Sequence, residues 1–293
     1  MGFRLLVTVW CACWLAGCAD GLFFYPDQRN YLSAGPPPHQ DFFVQEQPDI
    51  KLHGWFLPAE LPGPVKGTII QFHGNAENLT SHVGQVDWLT HEGYNVVAWD
   101  YRGYGASTGH PDRSGLFHDA ITMVHQIQAR PDVKGYPVYL LGQSLGGALV
   151  LAVAGSGQIH GIRGVVADSA FASWRGVAQE KLRSAGWMGW SLSWLVPLVV
   201  SSGYDAQRAV AHIAPVPLLL IQGDQDDVVP PDNLDQLYEH ALPPVFRWQI
   251  RGAGHVEALT RYRAQLRRPL LDFFAYCLDG NTRDLAADGL LKP

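Results

Sequence analysis

From residue 67 onward, short and almost wholly apolar runs alternate with longer stretches in which apolar residues recur every three or four positions. The short runs are "GTIIQFHG", "NVVAWD", "PVYLLG", "IRGVVAD", "PVPLLLIQGDQDD" and "VFRWQI". A run that is apolar at every position has no solvent face. Six of them between helical patterns predict a mostly parallel sheet with helices on both sides. The intervening stretches "NLTSHVGQVDWLTHEG", "SGLFHDAITMVHQIQAR" and "LGGALVLAVA" predict helices, the first closing at Gly93 and the second stopping before Pro131. The stretch "HVEALTRYRAQLRRPLLDFFAYCL" predicts a long closing helix. Upstream, "DFFVQE" and "IKLHGWFLP" are β-prone and closely spaced, which predicts an antiparallel entry to the sheet.

Residues 171–213 break the alternation, being much longer than an ordinary connection between strands. They contain Trp174, Trp187, Trp190, Trp194 and the run "WLVPLVV". A small helical cap over the carboxyl ends of the strands is expected, with most of its apolar residues packed on the main core and some facing substrate.

The N-terminus follows a different pattern. Arg4 is the only charge before Asp20, and the apolar stretch between them is shorter than the ~20 residues that span a bilayer. This pattern predicts an export signal, with an ordinary cleaved signal or an uncleaved anchor as the plainer readings, and its end, "LAGC" at residues 15–18, resembles the lipobox of bacterial lipoproteins. That resemblance implies a signal peptide over 1–17, acylation of Cys18, and a lipidated tether over 18–40 containing "SAGPPPHQ". It also implies a location on the bacterial cell envelope, held to the membrane on the periplasmic or extracellular side. The folded domain is then 41–293, and Cys277 is left without a partner for an intramolecular disulfide.

Composition narrows the function. With 47% hydrophobic and 16% charged residues the chain is globular, not disordered. A net charge of −6 and no basic run remove the electrostatic footprint of a nucleic-acid binder. No zinc spacing, phosphate-binding G-x-x-x-x-G-K-[ST] loop or dinucleotide G-x-G-x-x-G motif occurs, so no metal or cofactor is expected.

The chemistry is carried by "VYLLGQSLGGALVLAV". Ser144 stands between a strand and a helix, with Gly142 and Gly146 two positions to either side. A serine must stand on a sharp turn to meet a substrate, and larger neighbours at those positions would collide. The helix that follows aims backbone N–H groups at the serine, where negative charge would develop. A base is offered by His255 in "RGAGHVE", and an acid by Asp226, placed by the G-x-x-D-x-x-V-P spacing from Gly223 to Pro230. Asp224 and Asp227 read as solvated loop carboxylates, and Asp168, ending "GVVAD", is a weaker alternative acid. Oxyanion donors are expected at the backbone N–H of Leu145 and, in the loop "HGNAEN", at Asn75 with Ala76 close behind. His53 and His73 read as strand-end residues with structural hydrogen bonds.

Five motifs in order, "FHGNAEN", "DYRGYGAS", "GQSLGG", "GDQDDVVP" and "GAGHVE", together resemble the α/β-hydrolase superfamily over residues 40–280. They are most similar to a branch of membrane-associated serine hydrolases that includes protein depalmitoylases. The resemblance implies the α/β-hydrolase fold, with Ser144, Asp226 and His255 as nucleophile, orienting acid and base. It makes "DYRGYG" structural support, and attaches no mechanistic weight to Gln222, where many members carry histidine. A small-molecule or acylated substrate is expected, cleaved at an ester or thioester. A peptidase or amidase, or a non-catalytic envelope protein, are the competing readings.

Overall fold

A computed structural model describes residues 23–184, 186–187 and 193–280. Eight strands form one sheet: β2 (Gln40–Gln47), β3 (Ile50–Leu57), β4 (Gly67–Phe72), β6 (Tyr94–Trp99), β7 (Val138–Gln143), β8 (Ile162–Asp168), β9 (Leu218–Gly223) and β10 (Val245–Ile250). Their order is β10-β9-β8-β7-β4-β6-β3-β2. The six strands from β10 to β6 run parallel, and β3 pairs antiparallel with both β6 and β2. Two further short strands, β1 (Tyr25–Pro26) and β5 (Ala76–Glu77), pair with each other.

The α-helices in chain order are α1 (Leu79–His82), α2 (Arg113–Ala129), α3 (Leu145–Ala154), α4 (Trp174–Ser184), α5 (Val196–Val199), α6 (Ala206–Ala209), α7 (Asp232–His240) and α8 (Arg263–Asp279). The apolar strands serve two cores by alternation. Ile70, Phe72, Val97, Trp99 and Leu140 face one side, with Leu116 of α2 and Leu149 of α3. Ile69, Val96, Ala98 and Leu141 face the other, with Leu266 and Phe273 of α8. Period-two side chains on a fully covered sheet explain why each run had to be apolar throughout.

Several expectations change. Residues 78–93 do not form one helix: α1 gives way to 3₁₀ turns at Val83–Gln85 and Asp87–Glu92. Val83, Val86 and Leu89 are all buried at a spacing of three, the period of a 3₁₀-helix, and Val86 has left helical angles at φ −126°. The closing helix begins at Arg263 rather than at His255, because Val256 takes a left-handed φ of 49° and the chain turns until Tyr262. His53 lies inside β3, not at a strand end.

The expected free tether also ends earlier than residue 40. Phe23 and Phe24 are only 6% and 4% exposed and belong to the core. Two phenylalanines buried in this way each contribute about 1.5–3 kcal/mol, so this part of the chain is held down.

Between β8 and β9 the chain forms α4, α5 and α6 with 3₁₀ turns. Arg175 ties α4 to the region of α5 by donating to the carbonyls of Val200 and Pro197. Trp174 is buried in the main core, whereas Trp187 and Trp194 are 80% and 68% exposed. Trp190 lies outside the described residues. No helix of the described residues is long and apolar enough to cross a membrane.

Candidate active site

The end of β7 turns into α3 at Ser144, which has φ 54° and ψ −115°. A non-glycine residue in this region is strained. The turn is held by the Ser144 N–H donating to the Asp168 carbonyl at 2.8 Å and the Ala148 N–H donating to the Ser144 carbonyl at 3.0 Å. The flanking glycines are required by contact. A Cβ on Gly142 would lie 2.2 Å from the Gly146 carbonyl oxygen, and one on Gly146 would lie 2.0 Å from that of Phe72. Both distances are inside any allowed approach, so the serine stands exposed to the cleft only because its neighbours have no side chains.

His255 is carried by the loop after β10 and reaches back over the sheet end. The Ser144 hydroxyl donates to His255 Nε2 at 2.9 Å, and His255 Nδ1–H donates to Asp226 Oδ2 at 2.8 Å. The second loop, after β9, is locked to the first. The Gln225 N–H donates to the Ala253 carbonyl at 3.0 Å, and the Gly252 N–H to Asp224 Oδ1 at 2.6 Å. Asp224 is therefore more than a solvated carboxylate: it joins the two loops that carry Asp226 and His255. Asp227 is exposed, as expected.

The Asp226 side chain is fully buried and accepts four hydrogen bonds. Oδ1 takes the N–H groups of Val228 and Val229, each at 2.9 Å, while Oδ2 takes His255 and the Gln222 amide. Burial alone would raise its pKa. The hydrogen bond from His255, then those from the Val229 and Val228 backbone, overcome that effect and hold the carboxyl below its usual range.

A family model described as serine aminopeptidase, S33, matches residues 63–204. The protein YfhR of Escherichia coli K12 is 34% identical over 283 residues, covering 94% of each chain. The alpha/beta hydrolase domain-containing protein WAV2 of Arabidopsis thaliana is 31% identical over 210 residues, covering 69% of this chain and 67% of that protein. The chain belongs to the α/β-hydrolase superfamily. Among solved structures, an esterase of Pyrococcus furiosus matches with a TM-score of 0.70 at 21% identity, covering 86% of this chain and 97% of that one. This last likeness is one of fold.

As an α/β-hydrolase, the protein has its cleft where the superfamily sheet requires it, at the carboxyl ends of the strands. The cleft has a volume of about 1040 Å³ and contains Ser144 and His255. Phe171, Trp174 and Val177 give it an apolar wall at α4, and Val229 of the Asp226 loop lines it as well. Leu145, the first residue of α3, and Asn75, after β4, both line it. Gly74 approaches Ser144 closely: a Cβ on it would lie 4.0 Å from the Ser144 Cβ. Ala76 is drawn into pairing with Tyr25, whereas Asn75 precedes that pairing.

Asp168 does not contact His255. It accepts from the Ser169 hydroxyl at 3.1 Å, and its Oδ2 has no partner. Burial pushes its pKa up to about 7. His73 and His53 lie beside Asp100, at 3.5 and 3.7 Å, and His53 Nε2–H donates to Asp41 at 2.8 Å. In the "DYRGYG" loop, Asp100 accepts the Leu79 N–H at 2.7 Å and Arg102 makes a buried bidentate pair with Asp119 at 2.7 and 2.6 Å.

Two contributors escaped the sequence reading. Gln222 donates to Asp226 Oδ2 at 2.7 Å and to the Val229 carbonyl at 3.0 Å, so it holds that carboxylate in place. Its signal was available as a polar residue in an otherwise apolar strand. Phe23 and Tyr25 line the cleft from the N-terminal side, a long-range contact for which the sequence holds no local signal. Cys18 lies outside the described residues. Among the described residues, Cys277 is a free, buried cysteine, and no group of three His, Cys, Asp or Glu is arranged to hold a metal.

Proposed function

We propose that this chain hydrolyses carboxylic esters or thioesters through an acyl-enzyme. Ser144 is the nucleophile, His255 the general base and Asp226 the orienting acid. The observation that carries the reading is the unbroken relay from Ser144 to His255 at 2.9 Å and from His255 to Asp226 at 2.8 Å, with the serine on a strained turn.

In that reading Ser144 Oγ attacks the acyl carbonyl while His255 Nε2 takes its proton. The carbonyl oxygen becomes an oxyanion, stabilised by the N–H groups of Leu145 and Asn75. The imidazolium is held by the ionised Asp226, then gives its proton to the departing alkoxide or thiolate. Water, deprotonated by His255, attacks the acyl-enzyme and releases the carboxylic acid. The apolar wall of Phe171, Trp174 and Val177 favours a hydrophobic group on the substrate.

The test is a fluorophosphonate probe followed by a substrate panel. Wild type should label and Ser144→Ala should not; equal labelling of both removes the proposal. The S33 description of the matching family model favours a second reading, cleavage of amides. Faster turnover of aminoacyl amides than of p-nitrophenyl esters and acyl thioesters would place that reading first.

The anchor at Cys18 is proposed from the sequence. The buried Phe23 lies five positions after it, a reach of at most about 18 Å. In this reading an acylated Cys18 holds the cleft close to a membrane of the cell envelope, on its periplasmic or extracellular side. Cys18→Ala should move the protein from the membrane to the soluble fraction, and unchanged partition rejects the anchor.

A further inference from the structure

The loop that follows β4 has to aim a peptide N–H at the cleft, yet it begins with Gly74, which imposes little direction of its own. Direction comes instead from the side chain of Asn75. Its Nδ2 donates to the Phe23 carbonyl at 2.5 Å, and its Oδ1 accepts from the Tyr25 N–H at 3.1 Å and the Tyr104 hydroxyl at 2.8 Å. Three bonds from two distant segments fix one short side chain, and through it the backbone of the residue that carries it.

The N-terminal segment is itself fixed on several sides. Tyr25 and Pro26 pair in parallel with Ala76 and Glu77, immediately beyond Asn75. The Asp27 carbonyl accepts from the Gly105 N–H at 3.0 Å and from Asn78 Nδ2 at 3.0 Å. The rings of Phe23 and Phe24 meet Trp174 edge-on at 5.3 and 5.8 Å. Lys181 of α4 donates to the Tyr25 hydroxyl at 2.9 Å and lies 4.7 Å over its ring. The segment thus joins the loop after β4 to helix α4.

We propose that residues 23–27 are a clasp belonging to the active site, which with Tyr104 locks Asn75 so that its N–H points at the reacting carbonyl. Asn75, through its side chain, and Tyr104 are positioning residues. The inference rests on the ester-hydrolase reading of Ser144. Its physical basis is preorganisation: a donor that must turn into place at the moment of reaction loses most of its value.

The experiment compares Asn75→Ala and Tyr104→Phe with wild type on a short p-nitrophenyl ester. Both variants keep every peptide N–H. Losing an oxyanion donor outright costs about 10²–10³ in rate, so a misdirected one should cost less, about 10- to 100-fold in kcat for Asn75→Ala. Tyr104→Phe should fall several-fold. KM should stay within about twofold in both, because the clasp acts on the developing oxyanion rather than on bound substrate. Tyr104 is fully buried and phenylalanine keeps its ring, so this variant reports even if Asn75→Ala does not fold.

Unchanged kcat in Tyr104→Phe, or a rise in KM alone, overturns the clasp while leaving the Ser144 reading intact. If wild type fails to take the fluorophosphonate, or Ser144→Ala keeps its turnover, the underlying reading fails and the clasp with it.

Discussion

The Gln222 amide reaches Asp226 Oδ2 at 2.7 Å, sharing that oxygen with His255. Its other contact, to the Val229 carbonyl at 3.0 Å, fixes which end of the amide faces the acid, since only the nitrogen can donate to both oxygens. Strand β9 therefore supplies an anchor for the acid from beneath, while Val228 and Val229 hold it from the loop.

Gln222→Leu should lower kcat by up to about tenfold, equivalent to about 1.4 kcal/mol, close to the low end of what one hydrogen bond to a charged group contributes. Gln222→Glu should be worse, because it sets a second carboxylate against Asp226. Steady-state kinetics check both variants, and an unchanged kcat in Gln222→Leu contradicts the orienting role.

Two buried aspartates near the site should behave oppositely. Asp168, raised to about 7, contributes stability that is complete below the unfolded value near 3.8 and is lost as pH rises through about 7. Asp226 is lowered, so its contribution is present above that unfolded value and is lost as pH falls through its folded one. Asp168→Asn should therefore flatten the stability profile between pH 4 and 7 and stabilise the protein at pH 8, with kcat little changed. Asp226→Asn should cost about 10⁴ in kcat, as expected when the orienting acid of such a triad becomes an amide. Urea unfolding across pH with parallel kinetics separates the two, and loss of turnover in Asp168→Asn would make it the acid.

What the sequence revealed follows from where each signal lies. Ser144, Asp226 and His255 each stand in a short motif that contains glycine, and some of those glycines answer to contacts inside the motif. Gly142 against Gly146 is one such contact, and the local pattern contains it. The parallel sheet was legible because burial on both faces removes polar residues from every strand. Asn75 was legible as a position but not as a side chain, since its partners Phe23, Tyr25 and Tyr104 come from two other parts of the chain. The 3₁₀ turns at Val83 and Asp87 were missed because apolar positions three apart satisfy a helical pattern as well as a 3₁₀ one.

Gly146→Ala should destabilise the fold and not only the site. The added methyl would meet the Phe72 carbonyl oxygen at 2.0 Å, and that atom is backbone, so no side chain can rotate away. Helix α3 would have to withdraw from the ends of β4 and β7, at a cost of about 1–3 kcal/mol or more. Thermal unfolding should fall by several degrees and turnover should be lost with it. Gly84→Ala, where nothing lies within 4 Å of the added carbon, is the matched control and should leave both near wild type.

Ser144 should prove to be the least comfortable residue of its own turn. At φ 54° and ψ −115° an L side chain is strained, by about 1–3 kcal/mol at such positions. Ser144→Gly removes both the proposed nucleophilic hydroxyl and the Cβ that suffers there. Ser144→Ala removes that hydroxyl and keeps the Cβ. Both variants should be inactive, but the glycine variant should unfold at a higher temperature than the alanine variant. Both lose the hydroxyl's bond to His255, so the difference between them isolates the backbone term. Glycine also carries a larger chain entropy in the unfolded state, about 0.4–1 kcal/mol, which opposes the gain. An alanine variant as stable as the glycine variant, or more so, would mean that the turn carries less strain than its angles imply. In that case the serine is held out by the contacts of Gly142 and Gly146 alone.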